Sequence, residues 1–353
     1  MKNIKPKLLK PNFKLRLIRI RSLLSLMLLF VPFSSWGQGL SNLPLYTKEI
    51  VSVNKDWLIE DIRQKAEVYK DENEHLVLSN GLIARTFSMK PNGASVGYDN
   101  LMTGASLLRS VRAEATIQIG GMDFDIGGLT GQPIHNYLLP EWLEEMKSIP
   151  GSWQCSGYTV RENQQRFGWK KRKEWMPQDL PWPPPGVELI FEYKATDAVI
   201  DHLMKHTSSS FDSRDEYAYL KDITIRIHYV MYDGIPLLSK WMTVENHSEK
   251  QIVINRFTSE ILAATEPESS VGVKDDWMLP NITVETDYEF GGGMNTTASL
   301  GKSVFWEEDP MYKTQVNYER KAPVLLECRP QYGPGQQVVP GQTFESFRTW
   351  ELI

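Results

Sequence analysis

Apolar and polar residues alternate in short runs along most of this chain, and a period of two marks half-buried strands. Within 220–232, Ile223, Ile225, Ile227 and Tyr229 share one side while Thr224, Arg226 and His228 share the other. Runs at 75–80, 82–89, 114–119, 122–126, 235–246, 251–264, 281–290 and 314–329 read the same way. Asn80-Gly81, Gly120-Gly121 and Asp233-Gly234 sit between such runs and predict two-residue hairpin turns. Helical spacing is scarce: 57–69, 140–147, with Pro140 at a first turn, and 196–206, which reads equally as part of a loop, are short candidates. The segments 175–186, with its Trp-Pro-Pro-Pro run, and 208–215 read as irregular. About a dozen strands with few helices predict an all-β, antiparallel fold of two large packed sheets over 74–353, after a lead segment 38–73. The final run, 347–353, still alternates as a strand, so the expectation is a piece of a longer reading frame.

Residues 1–37 break the pattern. Eight basic residues and no acid precede an apolar run at 23–33, and Ser35-Trp36-Gly37 offers small residues where a signal peptidase cuts. This predicts a secretory signal peptide cleaved between Gly37 and Gln38, and an exported, periplasmic or extracellular, protein. Its loss takes the formal charge from −5 to −13. So acidic a chain is a poor nucleic-acid binder, whereas a neutral ligand such as a sugar is not penalised. No later segment has the apolar length of a membrane span. The 11 Trp, 14 Tyr and 13 Phe suit both a β-rich core and rings that stack on sugars. The two cysteines, Cys155 and Cys328, allow at most one disulfide.

Candidate chemistry is thin. His202 and His206 have i, i+4 spacing, but Leu203 stands where a zinc-peptidase motif has Glu, and a surface pair is the simpler reading. No cofactor motif and no metal-ligand set is found; Gly291-Gly292-Gly293 reads as a turn. Glycoside hydrolysis needs two carboxyls at fixed separation. Asp275-Asp276, Glu307-Glu308, Glu144-Glu145 and Asp123/Asp125 are pairs by proximity only, and adjacent strand residues face opposite ways. No catalytic residue is assigned. As substrate-binding candidates we take Trp182, in the proline-rich segment, and Asp276-Trp277, a ring beside a carboxylate; core packing is the competing reading for both Trp residues.

Three stretches carry a resemblance. They are 78–87 (Leu-Ser-Asn-Gly-Leu-Ile-Ala-Arg-Thr-Phe) with 92–109, 227–246 with its Tyr-Asp-Gly turn and Leu-Ser-Lys-Trp, and 340–352. Together they resemble the N-terminal β-supersandwich of bacterial α-galactosidase-like glycosidases, the melibiase or glycoside hydrolase 36-like group. The resemblance implies a galactose mutarotase-like supersandwich and a galactoside-type carbohydrate partner. It also implies catalytic carboxylates on a separate (β/α)₈ barrel, which this chain lacks. The family's Lys-Trp-Asp is absent: Lys240-Trp241 runs on to Met242, and Lys274-Asp275-Asp276-Trp277 has another order. Cys155-Ser156-Gly157 lacks the glycines of the acid motif. The expected function is therefore a non-catalytic, carbohydrate-associated domain, with a bared apolar face that favours self-association. The alternatives are a self-sufficient enzyme of the mutarotase fold, an aldose epimerase or polysaccharide lyase using a His/Glu or Tyr/His pair that includes His228, and a structural or adhesion module.

Overall fold

The computed structural model describes residues 42–47, 56–134, 136–168, 172, 174, 180–206, 213–267, 277–288 and 302–353. The signal-peptide segment 1–37, Asp275, Asp276 and Gly291–Gly293 lie outside them. No described helix is long and apolar enough to cross a membrane.

The described chain is an all-β antiparallel sandwich. One wall is a seven-stranded sheet built on Gln154–Glu162, Gly186–Lys194, Ile223–Tyr232, Leu237–Asn246, Thr349–Leu352 and Thr283–Thr286 in that order, with Thr343–Glu345 paired to Leu237–Asn246. The alternation read from the sequence decides its faces. Ile223, Ile225, Ile227, Tyr229, Leu189, Phe191, Met242 and Val244 join the main core. A five-stranded sheet from the N-terminal third and two four-stranded sheets supply the facing side chains. Phe87 packs on both Phe191 and Tyr229, with ring centroids 4.9 and 4.8 Å apart. Such aromatic contacts add to the burial that drives the two layers together.

Several expectations are corrected. Gly120-Gly121 is the two-residue turn expected, with φ of 58° and 85° and Ile119 opposite Met122. The Asn80-Gly81 turn is shifted by one: only Gly81 has positive φ, and Asn80 Oδ1 instead accepts the N–H groups of Leu82 and Ile83. Gly at the first central position is what a type II′ turn uses. After Asp233-Gly234 the strand resumes only at Leu237, because Pro236 has no N–H for the ladder. The 251–264 run is two strands, Ile252–Thr258 and Glu260–Ala264, which enter different sheets. Of 314–329, only Leu325–Cys328 is strand. The 57–69 helix is absent; Glu67–Lys70 instead pairs with Leu76–Ser79 and brings part of the lead segment into the sandwich. Helical structure falls at Pro140–Glu145 and Arg214–Asp222, both 3-10, and Asp197–His206, an α-helix. Cys155 and Cys328 are both free thiols.

Candidate functional site

The Lys240-Trp241 pair shows how the seven-stranded sheet separates two polar systems. Neighbours on a strand face opposite ways. Lys240 points into the core, where its Nζ donates to Glu260 Oε1 at 3.1 Å and to the Glu114 carbonyl at 2.7 Å. Arg85 donates to both oxygens of Glu260, at 3.0 and 3.2 Å. Glu114 accepts from the Tyr229 hydroxyl and from the Ser95 N–H. Glu351 lies 3.6 Å from Arg85 and completes a cluster of two cations and three carboxyls, all buried. Burial raises every carboxyl. At Glu260, Arg85 and Lys240 more than reverse that and hold it low. At Glu351, burial and then the Glu260 charge push the group up to about 8. Holding its proton, Glu351 adds no second negative charge beside Glu260.

On the other face, Trp241 stacks flat against His228, with centroids 4.7 Å apart. His228 Nδ1 lies 2.9 Å from Glu188 Oε1, on the adjacent strand, and Nε2 lies 3.0 Å from Thr243 Oγ1. Arg161 donates to both Glu188 oxygens, at 2.6 and 3.1 Å. Burial alone would raise Glu188; the His228 and Arg161 hydrogen bonds outweigh it and hold the carboxylate below its usual range. Burial pulls His228 below its ordinary value despite Glu188. The neutral ring then donates from Nδ1 and accepts the Thr243 hydroxyl at Nε2. The Arg348 guanidinium sits 3.9 Å from the Trp241 ring, so Trp241, 4% exposed, is packed between His228 and Arg348 contacts.

That groove, about 520 Å³, lies against this outer face. Phe167, Trp182 and Pro183–Pro185 form one part of its lining, and Tyr232 and Trp350, stacked at 5.9 Å, another. Gln165 accepts a hydrogen bond from the Trp182 indole at 3.2 Å. Arg166, Asp287 and Arg348 supply charge. A concave, mainly apolar site with a few polar groups is the usual form of a small-molecule site. A second groove, about 480 Å³, runs over Gln118, Asp123, Arg256, Glu327, Arg329 and Tyr332. Its charges are largely paired with one another, as Arg256 with Asp123 and Arg329 with Glu327, and it has one aromatic side chain besides Phe257.

Of the sequence candidates, Trp182 is 45% exposed in the first groove, whereas Trp277 is 8% exposed and lines neither groove. Asp276 lies outside the described residues. His202 and His206 lie on one helix with ring centroids 4.4 Å apart and planes tilted by 46°, and no group of three metal-ligating side chains occurs among the described residues. The Cys155 thiol is pushed up to about 12 by burial, beside a bulge at Cys155/Gly157. Sequence reasoning missed Glu188, Arg166 and Arg348. The first was within reach, since Val187, Leu189, Phe191 and Tyr193 alternate with Glu188, Ile190 and Glu192.

Fold and site thus define an all-β sandwich with an aromatic groove on the outer face of its largest sheet. No protein-family model matches the sequence, and comparison with curated proteins finds no match. Among solved structures, three α-galactosidases are similar. The family 36 enzyme AgaB of Geobacillus stearothermophilus has 8% identity and a TM-score of 0.37, over 81% of this chain and 40% of that one. A variant of AgaA from the same organism, bound to 1-deoxygalactonojirimycin, has 8% identity and a TM-score of 0.33, over 79% and 40%. The Lactobacillus brevis α-galactosidase has 10% identity and a TM-score of 0.35, over 83% and 40%. The chain therefore spans about 40% of the length of these proteins.

Proposed function

We propose that this chain is an exported, carbohydrate-associated β-sandwich domain of an α-galactosidase-like glycoside hydrolase, binding sugar without cleaving it. One observation carries the reading: Trp182, half-exposed beside a triproline wall, faces a groove with stacked Tyr232 and Trp350 and a few fixed polar groups. Flat rings at the edge of such a groove match the apolar faces of pyranoses. The partner is a galactoside-type carbohydrate, and hydrolytic carboxylates would come from a barrel domain. Calorimetry with galacto-oligosaccharides tests this: Trp182→Ala should weaken binding about tenfold, with unchanged folding. Unchanged affinity removes the groove from the account.

A second reading, a self-sufficient epimerase or lyase, is favoured by the His228–Glu188 pair at 2.9 Å. A general acid or base must reach the substrate's proton. Here His228 is 7% exposed, both its ring nitrogens are engaged, and Trp241 covers one face. The pair is better built to hold the sheet's outer face than to exchange protons with a sugar. Aldose mutarotation by the purified chain, lost in His228→Gln, would reverse that preference.

A further inference from the structure

Among the described residues that line the groove, Arg348 is the guanidinium that no carboxylate hydrogen-bonds; the acids that act on its charge, Glu345 and Glu188, are paired with Arg166 and with Arg161 and His228. Arg348 is 8% exposed. Its Nε is buried without a hydrogen-bond partner. Arg166, its neighbour in the same groove, is paired with Asp287 and, at 2.9 Å, with Glu345. Asp287 also accepts the Arg348 backbone N–H at 2.7 Å. Those acids are thus occupied, and no carboxylate among the described residues bridges the Arg348 side chain. Its guanidinium has Trp241 at 3.9 Å on one face, a cation–π contact that offsets part of the lost hydration. A buried cation left without an anion is costly, and its place just before the Thr349–Leu352 strand holds Arg348 at a groove wall.

We propose that the groove takes an acidic sugar, and that Arg348 receives the carboxylate of a uronic acid residue while Trp182 and Trp350 contact its ring. This rests on the groove being a carbohydrate site. The chemistry favours a carboxylate over a hydroxyl. A planar fork of donors matches two carboxylate oxygens, and charge-assisted pairs are about twice as strong as neutral ones. A hydroxyl would leave the guanidinium without a hydrogen-bonded anion.

The test is calorimetry of the full chain with trigalacturonate and with its carboxyl-reduced, neutral counterpart, galactotriose of the same linkage. Wild type should bind the acidic trisaccharide about tenfold or more tighter, with an affinity that falls as salt rises. Arg348→Gln should abolish that preference, bringing the affinities for the acidic and the neutral trisaccharide together. Arg348→Lys, which keeps charge without the fork, should retain only part of it. Equal wild-type affinities, or a preference that survives Arg348→Gln, overturn the proposal but leave the carbohydrate site standing. Binding of neither sugar removes both. Should the variants fail to fold, the wild-type ratio alone decides.

Discussion

Replacing the two central carboxyls by amides should have opposite consequences, although Glu260 and Glu351 share one buried cluster. In the described structure Glu260 takes three hydrogen bonds from Arg85 and Lys240, all at 3.0–3.2 Å. Glu260→Gln removes the one carboxylate that takes hydrogen bonds from both Arg85 and Lys240, and Glu351, 3.6 Å from Arg85, replaces that charge only in part. An uncompensated buried charge costs about 3–5 kcal/mol when one partner of an ion pair is removed. Glu351 instead carries a proton at neutral pH, because burial and the Glu260 charge raise it. Glu351→Gln therefore replaces one neutral group by another of the same shape and should cost about 1 kcal/mol or less. The pH dependence separates the cases further. Folded Glu351 holds its proton above the unfolded value of 4.5, so its stabilising contribution is complete below that and is lost as pH rises through about 8. One proton changes stability by at most about 1.4 kcal/mol per pH unit. Urea denaturation of wild type and Glu351→Gln from pH 5 to 9 should show the wild-type advantage declining across this window. Titrating groups remote from the cluster cancel in that difference. A flat difference, or a Glu351→Gln variant as unstable as Glu260→Gln, would refute the charge assignment.

Other expectations are simpler to state. Gly127→Ala should destabilise by more than about 1–3 kcal/mol: φ is +62°, and an added Cβ would come within 2.3 Å of the Gly93 carbonyl oxygen; thermal unfolding measures it, and an unchanged midpoint counts against the packing described. His228, lowered by burial, should stay neutral below pH 6.5, so its contribution is lost as pH falls from 6.5 towards its folded value; nitrogen NMR of the ring should show an Nδ1–H tautomer, and titration at or above 6.5 would contradict this. Amino-terminal sequencing of exported protein should begin at Gln38; a retained Met1 on cytoplasmic protein would overturn the export reading.

What could be read from the chain was local. Periodicity around Ile223–Tyr229 identified the core face, and Gly120-Gly121 identified its turn, because both depend on neighbours a few residues away. The Asp197–His206 helix falls within 196–206, a stretch whose spacing allowed either a helix or a loop. The buried cluster was not: Arg85 and Glu260 are 175 residues apart, and only strand order brings them together. A Glu and a Lys inside strands look alike whether they face water or a core. The Trp candidates divide along the same line. Ring and carboxylate side by side at Asp276-Trp277 gave no sign that Trp277 is buried, while Trp182 stands in a proline-rich connection that cannot join the ladder. Arg348 was hidden because its significance lies in lacking a partner, which no pattern of spacing records.

The central claim, that the outer-face groove binds carbohydrate, is tested most directly by NMR mapping with galacto-oligosaccharide and trigalacturonate on isotope-labelled protein. The account predicts saturable shifts of the Trp182 and Trp350 indole N–H signals and of Arg348, with the signals of Arg256 and Tyr332 in the second groove unmoved. Shifts confined to the second groove, or none at either with both sugars, would contradict it.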